Sequence, residues 1–436
     1  DLAVAGDPEG AARAVARGLG GPVFPLSEAF GTWRAIDGRR RFVCDVSALQ
    51  GEDVAGDLAR RDFTVNAMAV PLTGGALLDP HGGRGDAAAG LLRVMGEAAY
   101  RADPLRPLRL VRLAAELPLA PDQETERLTR AAAGSVTRAS PERVFAELRR
   151  LIVSDRLLDG LALSDRLGLT AAVLPEVEAL RGVEQSRYHH LDVHGHTMEV
   201  VARQLELERR GLEELFAPDA SALAAVLDEP LSEELTRGQA LRLGALLHDV
   251  GKPPTHGVRD DGRITFIGHD ALGERMVRAI CRRLRTSERL ASFLGALTRH
   301  HLSLGFLVHR RPLDRRTIYR YLASSHPVEV EVTLLSCADR LATRGRGAEE
   351  AIAAHLDLAR ELMREALAWR ADGPPRPPLR GDELADELGL EPGPELGRLL
   401  AELEEARFAG EVRTRAQAVE HARRSLAASR AAAADR

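Results

Sequence analysis

The chain has 436 residues, 44% hydrophobic and 29% charged, with a net charge of −5. At ~100–200 residues per domain it should hold three or four domains, and no apolar run approaches the ~18 residues of a membrane span. There is no signal-peptide pattern and no global basic field, and three distant cysteines (Cys44, Cys281, Cys337) give neither a disulfide framework nor Cys-type zinc spacing, which fits a reducing cytoplasm.

Residues 1–80 mix short β-rich runs with Gly/Pro punctuation. LAVAG (2–6), RRFVCDVSAL (40–49) and FTVNAMAV (63–70) read as strands or strand edges, and 8–19 as a helix, giving a small α/β or α+β unit. DPHGGRGD (79–86) reads as a loop. From about residue 103 the pattern turns helical, with PLRPLRLVRLAAEL, SPERVFAELRRLIV and LDGLALSDRLGL carrying apolar residues at three- and four-residue spacing. Ser140-Pro141 is a helix start with Ser as N-cap. A second helical block covers 190–345, with RGQALRLGALLHDVGK (237–252) as its clearest apolar helix. GPPRPPLRG (373–381) breaks helix as a linker, and a small helical tail follows.

Basic charge is local. Residues 274–320 hold twelve Arg against three acids, either solvated helix faces or a phosphate-binding surface. Lys252 is the only lysine; the other 59 basic residues are arginine, a compositional bias. Aromatics are 4%, so base-stacking platforms are scarce.

His196, His248, Asp249, His269, His300 or His301, and Asp339 are candidate ligands for a divalent metal, since imidazoles and carboxylates suit borderline cations. A helical bundle points such side chains inward from several helices. The alternative is helix-end histidines satisfied by their neighbours. The pattern, with LLHDVGKPPTH at its centre, resembles the HD-domain metal-dependent phosphohydrolases. The resemblance implies that His196, His248, Asp249 and Asp339 are core ligands and that His269 with His300 or His301 completes a second site. It implies a divalent ion there (Mg2+, Mn2+, Ni2+ or Fe2+) that activates water and stabilises phosphoryl oxygens. Lys252 is a phosphate contact or a helix-end cation.

Arg60-Arg61-Asp62-Phe63-Thr64-Val65-Asn66 places two guanidiniums, an acid and an amide within seven residues, groups able to hold a triphosphate and a ribose. It is followed in order by DPHGGRGDAAAGLLRVMG, ADPLRPLRLVRLAAEL, SPERVFAEL and LLPEVEAL. This series resembles the bacterial-type tRNA nucleotidyltransferases, the CCA-adding enzymes and their poly(A) polymerase relatives, over nearly the whole chain. The implied fold class is α+β. A partial polymerase-β-like head (1–95) precedes a helical neck (96–185), an HD domain (186–372) and a linker with a helical tail (373–436). The implied partners are tRNA, CTP and ATP, with Mg2+ at the head, in a monomer or homodimer without membrane association. Asp1 matches the second carboxylate of the family's Asp-x-Asp strand, and Asp45 a third head carboxylate, or else a strand-end acid. The first carboxylate and the upstream Gly-rich segment are absent from this sequence. The expectation is therefore a truncated head that transfers nucleotides poorly as it stands.

The same resemblance makes Asp103 and Arg106 a protein template for the base. A carboxylate accepts from the amino group of C or A, and a guanidinium donates to the adjacent ring nitrogen. Positions i and i+3 would share one helix face, continued by Arg109 and Arg112. Asp103-Pro104 is equally a helix N-cap pair, and Pro107 predicts a later helix start that alters this geometry. The family usually has Glu where Ala102 stands. Glu142 and Arg143 match a further neck motif, or form surface salt bridges. The competing functions are a poly(A) polymerase on the same scaffold, an HD phosphohydrolase with an inactive RNA-binding head, and a non-catalytic RNA-binding protein.

Overall fold

The computed structural model describes residues 1–27, 31–39, 41–185, 191–344 and 348–434. The chain divides into two compact units, 1–173 and 174–436.

The first unit opens with β1 (Leu2–Val4), α1 (Pro8–Leu19), β2 (Val23–Ser27), β3 (Thr32–Ile36) and β4 (Val43–Ala48). The sheet order is β1-β4-β3-β2, with β1 parallel to β4 and the other pairs antiparallel. Asp7 starts α1 by accepting the Gly10 N–H at 2.9 Å, and Gly20, at φ 63°, ends it in the left-handed conformation that glycine adopts without strain. The small face of α1 (Ala12, Ala16) is buried, and α1 packs on β3 and β4.

The helices α2 (Val54–Ala59), α3 (Gly83–Ala88), α4 (Glu97–Ala102), α5 (Arg106–Glu116), α6 (Gln123–Ala132), α7 (Pro141–Val153), α8 (Leu157–Arg166) and α9 (Leu169–Val173) complete this unit. Two expectations fail here. FTVNAMAV is not a strand: it forms one 3-10 turn, Thr64–Asn66, between isolated bridges at Phe63 and Ala69. The Asp62 carboxylate takes both the Phe63 N–H (2.9 Å) and the Asn66 side chain (3.0 Å), and such local bonds compete with a ladder. The 79–86 segment is not wholly loop, because Asp79 caps the Gly83 and Arg84 N–H groups and so starts α3. At α7, Pro141 occupies the first turn as expected, although the Ser140 side chain makes no capping bond.

The second unit contains α10 (Pro175–Glu178), α11 (Val193–Glu206), α12 (Leu212–Phe216), α13 (Ala220–Leu227), α14 (Arg237–Leu247), α15 (His269–Arg283), α16 (Glu288–His300), α17 (Ser303–Leu307), α18 (Arg315–Ser325), α19 (Glu329–Ala342), α20 (Ala348–Asp372), α21 (Gly381–Leu388), α22 (Pro394–Phe408) and α23 (Arg415–Ala434). Two short hairpins, β5 (Pro230–Ser232) with β6 (Leu235–Thr236) and β7 (Gly257–Val258) with β8 (Ile264–Thr265), interrupt what the sequence reads as purely helical. α14 is buried along most of its length and packs against α11, α16 and α19. A Thr236/Gln239 capping box sets its start. The last three helices bury their own small core around Leu384, Leu399, Leu403 and Ala422. Among the described residues, no helix is long and apolar enough to cross a membrane.

Candidate functional site

In the first unit the structure brings the Arg60–Asn66 segment against the start of α5. Arg106 donates to the carbonyl oxygens of Arg60 (2.9 Å), Arg61 (3.2 Å) and Ala99 (3.1 Å). Arg109 reaches Asp62 at 3.3 Å, while Arg61 is tied to Asp57 at 2.6 Å. Asn66 is exposed beside them, as is Arg60. Two sequence segments some forty residues apart thus form one polar surface of arginines and carboxylates.

Asp103 and Arg106 are adjacent but do not share a helix face. Asp103 lies in extended backbone (φ −142°, ψ 111°) between α4 and α5, and α5 begins only at Arg106. The late start that Pro107 predicts is therefore observed. The Asp103 side chain accepts the Leu105 N–H at 3.1 Å and pairs with Arg143 of α7 at 2.6 Å. Burial works against its charge, but Arg143 and the Leu105 N–H outweigh it and hold the carboxyl below its ordinary range. Glu142 is exposed on α7, next to Arg143.

Arg112 leaves the expected face. At ~100° per residue, six positions carry it about 120° from Arg106. Its guanidinium, 3% exposed, is locked between Glu147 and Glu116, each at 2.5 Å. It ties α5 to α7 as a buried ion pair, which removes it from the nucleotide-contacting set.

On the sheet, Leu2 is opposite Val46, so the parallel register puts Asp1 opposite Asp45. Both Asp45 oxygens are engaged by Arg34 of β3 at 2.7 Å, while Asp1 is exposed. One or two carboxylates are the donor chemistry Mg2+ takes, but here Arg34 occupies both Asp45 oxygens.

In the second unit, α11, the end of α14, the start of α15, the end of α16 and α19 place six side chains together. His196, His248 and Asp339 form one group and Asp249, His269 and His301 another, the ligand atoms of each within 4.8 Å of one another. Asp249 lies between them. Its Oδ2 is 3.2 Å from His248 Nε2, and its Oδ1 is 3.6 Å from His269 Nε2 and 3.7 Å from His301 Nε2. His196 Nε2 is 3.0 Å from Asp339. The Nδ1 atoms of His248, His269 and His301 each bond a backbone carbonyl three residues back, at 2.7–2.8 Å. In that tautomer the Nε2 lone pairs of these three histidines face inward, the orientation a metal requires.

Charge agrees in part: burial lowers His248, but the adjacent Asp249 carboxylate outweighs it and holds the imidazole above its ordinary value. Burial, reinforced by nearby His248, pushes His301 down to about 4, which keeps it a neutral ligand. Burial alone would raise Asp339, but the His196 hydrogen bond holds it well below the carboxylate range. His248 Nε2 and both Asp249 oxygens are buried without a well-aligned hydrogen bond, the condition a cation relieves. Lys252 compensates Asp249 at 2.7 Å and also donates to Gln185 at 2.8 Å, so here it is a partner of a ligand rather than a free cation. His300 is a correction: it lies outside both groups among the described residues, because one helical residue turns a side chain by ~100° away from His301. Gly251 permits the assembly, since a Cβ there would sit 2.1 Å from the His269 carbonyl. Its signal in the sequence is a glycine two residues after the His-Asp doublet, beyond Val250.

A small sheet head, a helical neck with a guanidinium-rich surface, and a histidine–aspartate cluster in a helical bundle define a nucleotidyltransferase joined to an HD domain. Family comparison agrees. Residues 28–93 match the poly A polymerase head domain, 119–180 the probable RNA and SrmB-binding site of polymerase A, and 220–344 the HD domain. The chain is 36% identical to an A-adding tRNA nucleotidyltransferase of Deinococcus radiodurans, over 94% of this chain and 87% of that one. It is equally 36% identical to a CC-adding tRNA nucleotidyltransferase of Thermus thermophilus (94% and 86%), and 33% identical to a multifunctional CCA protein of Laribacter hongkongensis (72% and 71%). Its fold is that of a Thermotoga maritima CCA-adding enzyme solved with tRNA, at TM-score 0.57 and 17% identity over 97% and 86% of the two chains. The chain belongs to the bacterial-type, class II tRNA nucleotidyltransferase family.

Proposed function

We propose that this protein extends tRNA 3′ ends with the C and A of the CCA terminus, using CTP and ATP. The observation that carries the reading is the joint polar surface on which Arg106 and Arg109 meet the Arg60–Asn66 segment, with Asp103 beside it. On that surface Arg60 and Asn66 bind triphosphate and ribose, and Asp103 and Arg106 read the base. Asp1 and Asp45 would hold Mg2+, which would supply charge neutralisation for the triphosphate. The proposed domains are 1–95, 96–185, 186–372 and 373–436; matches over 28–93, 119–180 and 220–344 support the first three, while the compact units part at 173/174. Three free cysteines support a cytoplasmic location.

A narrower reading, addition of A alone or of CC alone, is favoured by the two relatives at 36% identity, whose activities are each half of the task. An end-extension assay separates these outcomes. The full-length gene product, a tRNA ending at its discriminator base, and labelled CTP and ATP should give C, C and A and then stop. Addition of only one base type would select the narrower reading, and an open run of A would select a poly(A) polymerase.

In the second unit, we propose phosphoester hydrolysis at the His196/His248/Asp249/His269/His301/Asp339 cluster. A divalent ion such as Mg2+, Mn2+, Ni2+ or Fe2+ would supply an activated water there. The chain's own contribution is six oriented ligand atoms and Lys252, able to turn from Asp249 to a phosphoryl oxygen. Changing His248 and Asp249 to Ala should abolish phosphate release; release at the wild-type rate would refute the assignment.

A further inference from the structure

The base-reading pair has its hydrogen-bonding edges turned onto protein groups. Asp103 is almost wholly buried, with 10% of its side chain exposed. One of its oxygens takes the Leu105 N–H, and the other takes Arg143 Nη2 at 2.6 Å. Arg143 comes from α7, forty residues further on, and is 45% exposed, so it covers the carboxylate from the solvent side. Arg106 meanwhile spends its donors on the Arg60, Arg61 and Ala99 carbonyls. Among the described residues Arg143 is the charged group that bonds the Asp103 side chain, with the Arg106 guanidinium a weaker charge nearby.

We propose that Arg143 is a positioning residue that sets base selection, by holding the Asp103 carboxylate in one orientation as a pure hydrogen-bond acceptor. The inference rests on the reading of Asp103 as the base-contacting acid.

An ionised carboxylate only accepts, and its oxygens have lone pairs left after one donor is bound. A base with an exocyclic amino group, C or A, can add its N–H to those lone pairs. A base with an oxo group at that place sets oxygen against oxygen and leaves both unpaired. If the carboxyl were protonated, it would donate to an oxo group, and that distinction would shrink. Burial favours the protonated form of Asp103, and Arg143 opposes this. Without Arg143 the carboxyl is free to rotate and protonates at a higher pH. Selection for amino-bearing bases then weakens, and weakens most in mild acid.

The test is single-nucleotide incorporation by the full-length gene product, comparing kcat/KM for CTP against UTP and ATP against GTP at pH 6 and pH 8. Equilibrium titration with the same nucleotides gives a readout independent of chemistry. The wild type should discriminate equally at both pH values. Arg143→Met should lose about tenfold or more of that discrimination, with the larger loss at pH 6. Arg143→Lys, which keeps the charge, should recover most of it. It also serves as the test variant, through partial loss and pH dependence, should Arg143→Met fail to fold. A folded Arg143→Met enzyme with wild-type discrimination at both pH values would overturn the proposal. Asp103→Ala tells the two levels apart. If it also keeps full discrimination, the reading of Asp103 has failed; if it loses discrimination while Arg143→Met does not, only the role of Arg143 has failed.

Discussion

Arg106 and Arg112 show how the same residue type, six positions apart, acquires different tasks. Arg112 is 3% exposed between two glutamates, so removing its charge leaves Glu147 buried and uncompensated. Arg112→Met should cost about 3 kcal/mol of stability, measured by denaturant unfolding of the first unit's signal, with nucleotide KM changing little in protein that remains folded. A raised KM without loss of stability would return Arg112 to the nucleotide-contacting set. His355 gives a pH-dependent case away from the polar surface. It is buried against Ser336, its Nε2 at 3.1 Å from the hydroxyl, and burial pushes it down to about 4. The unfolded chain takes up this proton near 6.5 and the folded chain only near 4, so the unfolded state binds more protons between those values. The contribution of His355 is therefore intact above about 6.5 and falls as the pH drops towards 4, by roughly 3 kcal/mol in all. His355→Gln should flatten that part of the stability–pH curve, and a curve parallel to the wild type would contradict the assignment.

At the scale of elements, legibility in the sequence followed how local the cause was. The apolar helix ending in His248-Asp249 was readable because its capping residues, its hydrophobic run and the ligands are contiguous. Of the two histidines ending α16, the sequence could not choose, since the 100° between them acquires meaning only when α15 is packed alongside. The FTVNAMAV segment misled because its alternation is strand-like, while the Asp62 carboxylate diverts the backbone into a turn. The chemical groups of the neck were readable, but their geometry was not: Asp103 sits outside α5, and its partner Arg143 comes from another helix. Gly251 belongs to this scale as well. Gly251→Ala should push the His-Asp turn away from the start of α15, because the clash is with backbone and cannot be relieved by a rotamer. Divalent-ion affinity, measured by calorimetry, should fall about tenfold or more, in line with disturbed ligand support. Unchanged affinity would mean the two elements can separate without moving His269.

At the scale of the molecule, each compact unit carries its own chemistry-bearing cluster, so the two proposed activities are separable by mutation. His248→Ala with Asp249→Ala should leave nucleotide addition within about twofold of wild type, since the two clusters share no residues. The family match spans head, RNA-binding region and HD domain, and the relatives are matched over most of their lengths. The central claim is that the surface joining Arg60–Asn66 to Asp103, Arg106 and Arg109 selects C and A for a tRNA end. The most direct measurement is extension of a tRNA lacking its CCA end by the full-length gene product, with each nucleoside triphosphate supplied alone and then together. Incorporation confined to C and A, lost in Asp103→Ala and Arg106→Ala enzymes that still fold, is the predicted result. Incorporation of all four bases alike, or selective incorporation that survives both substitutions, would contradict the account.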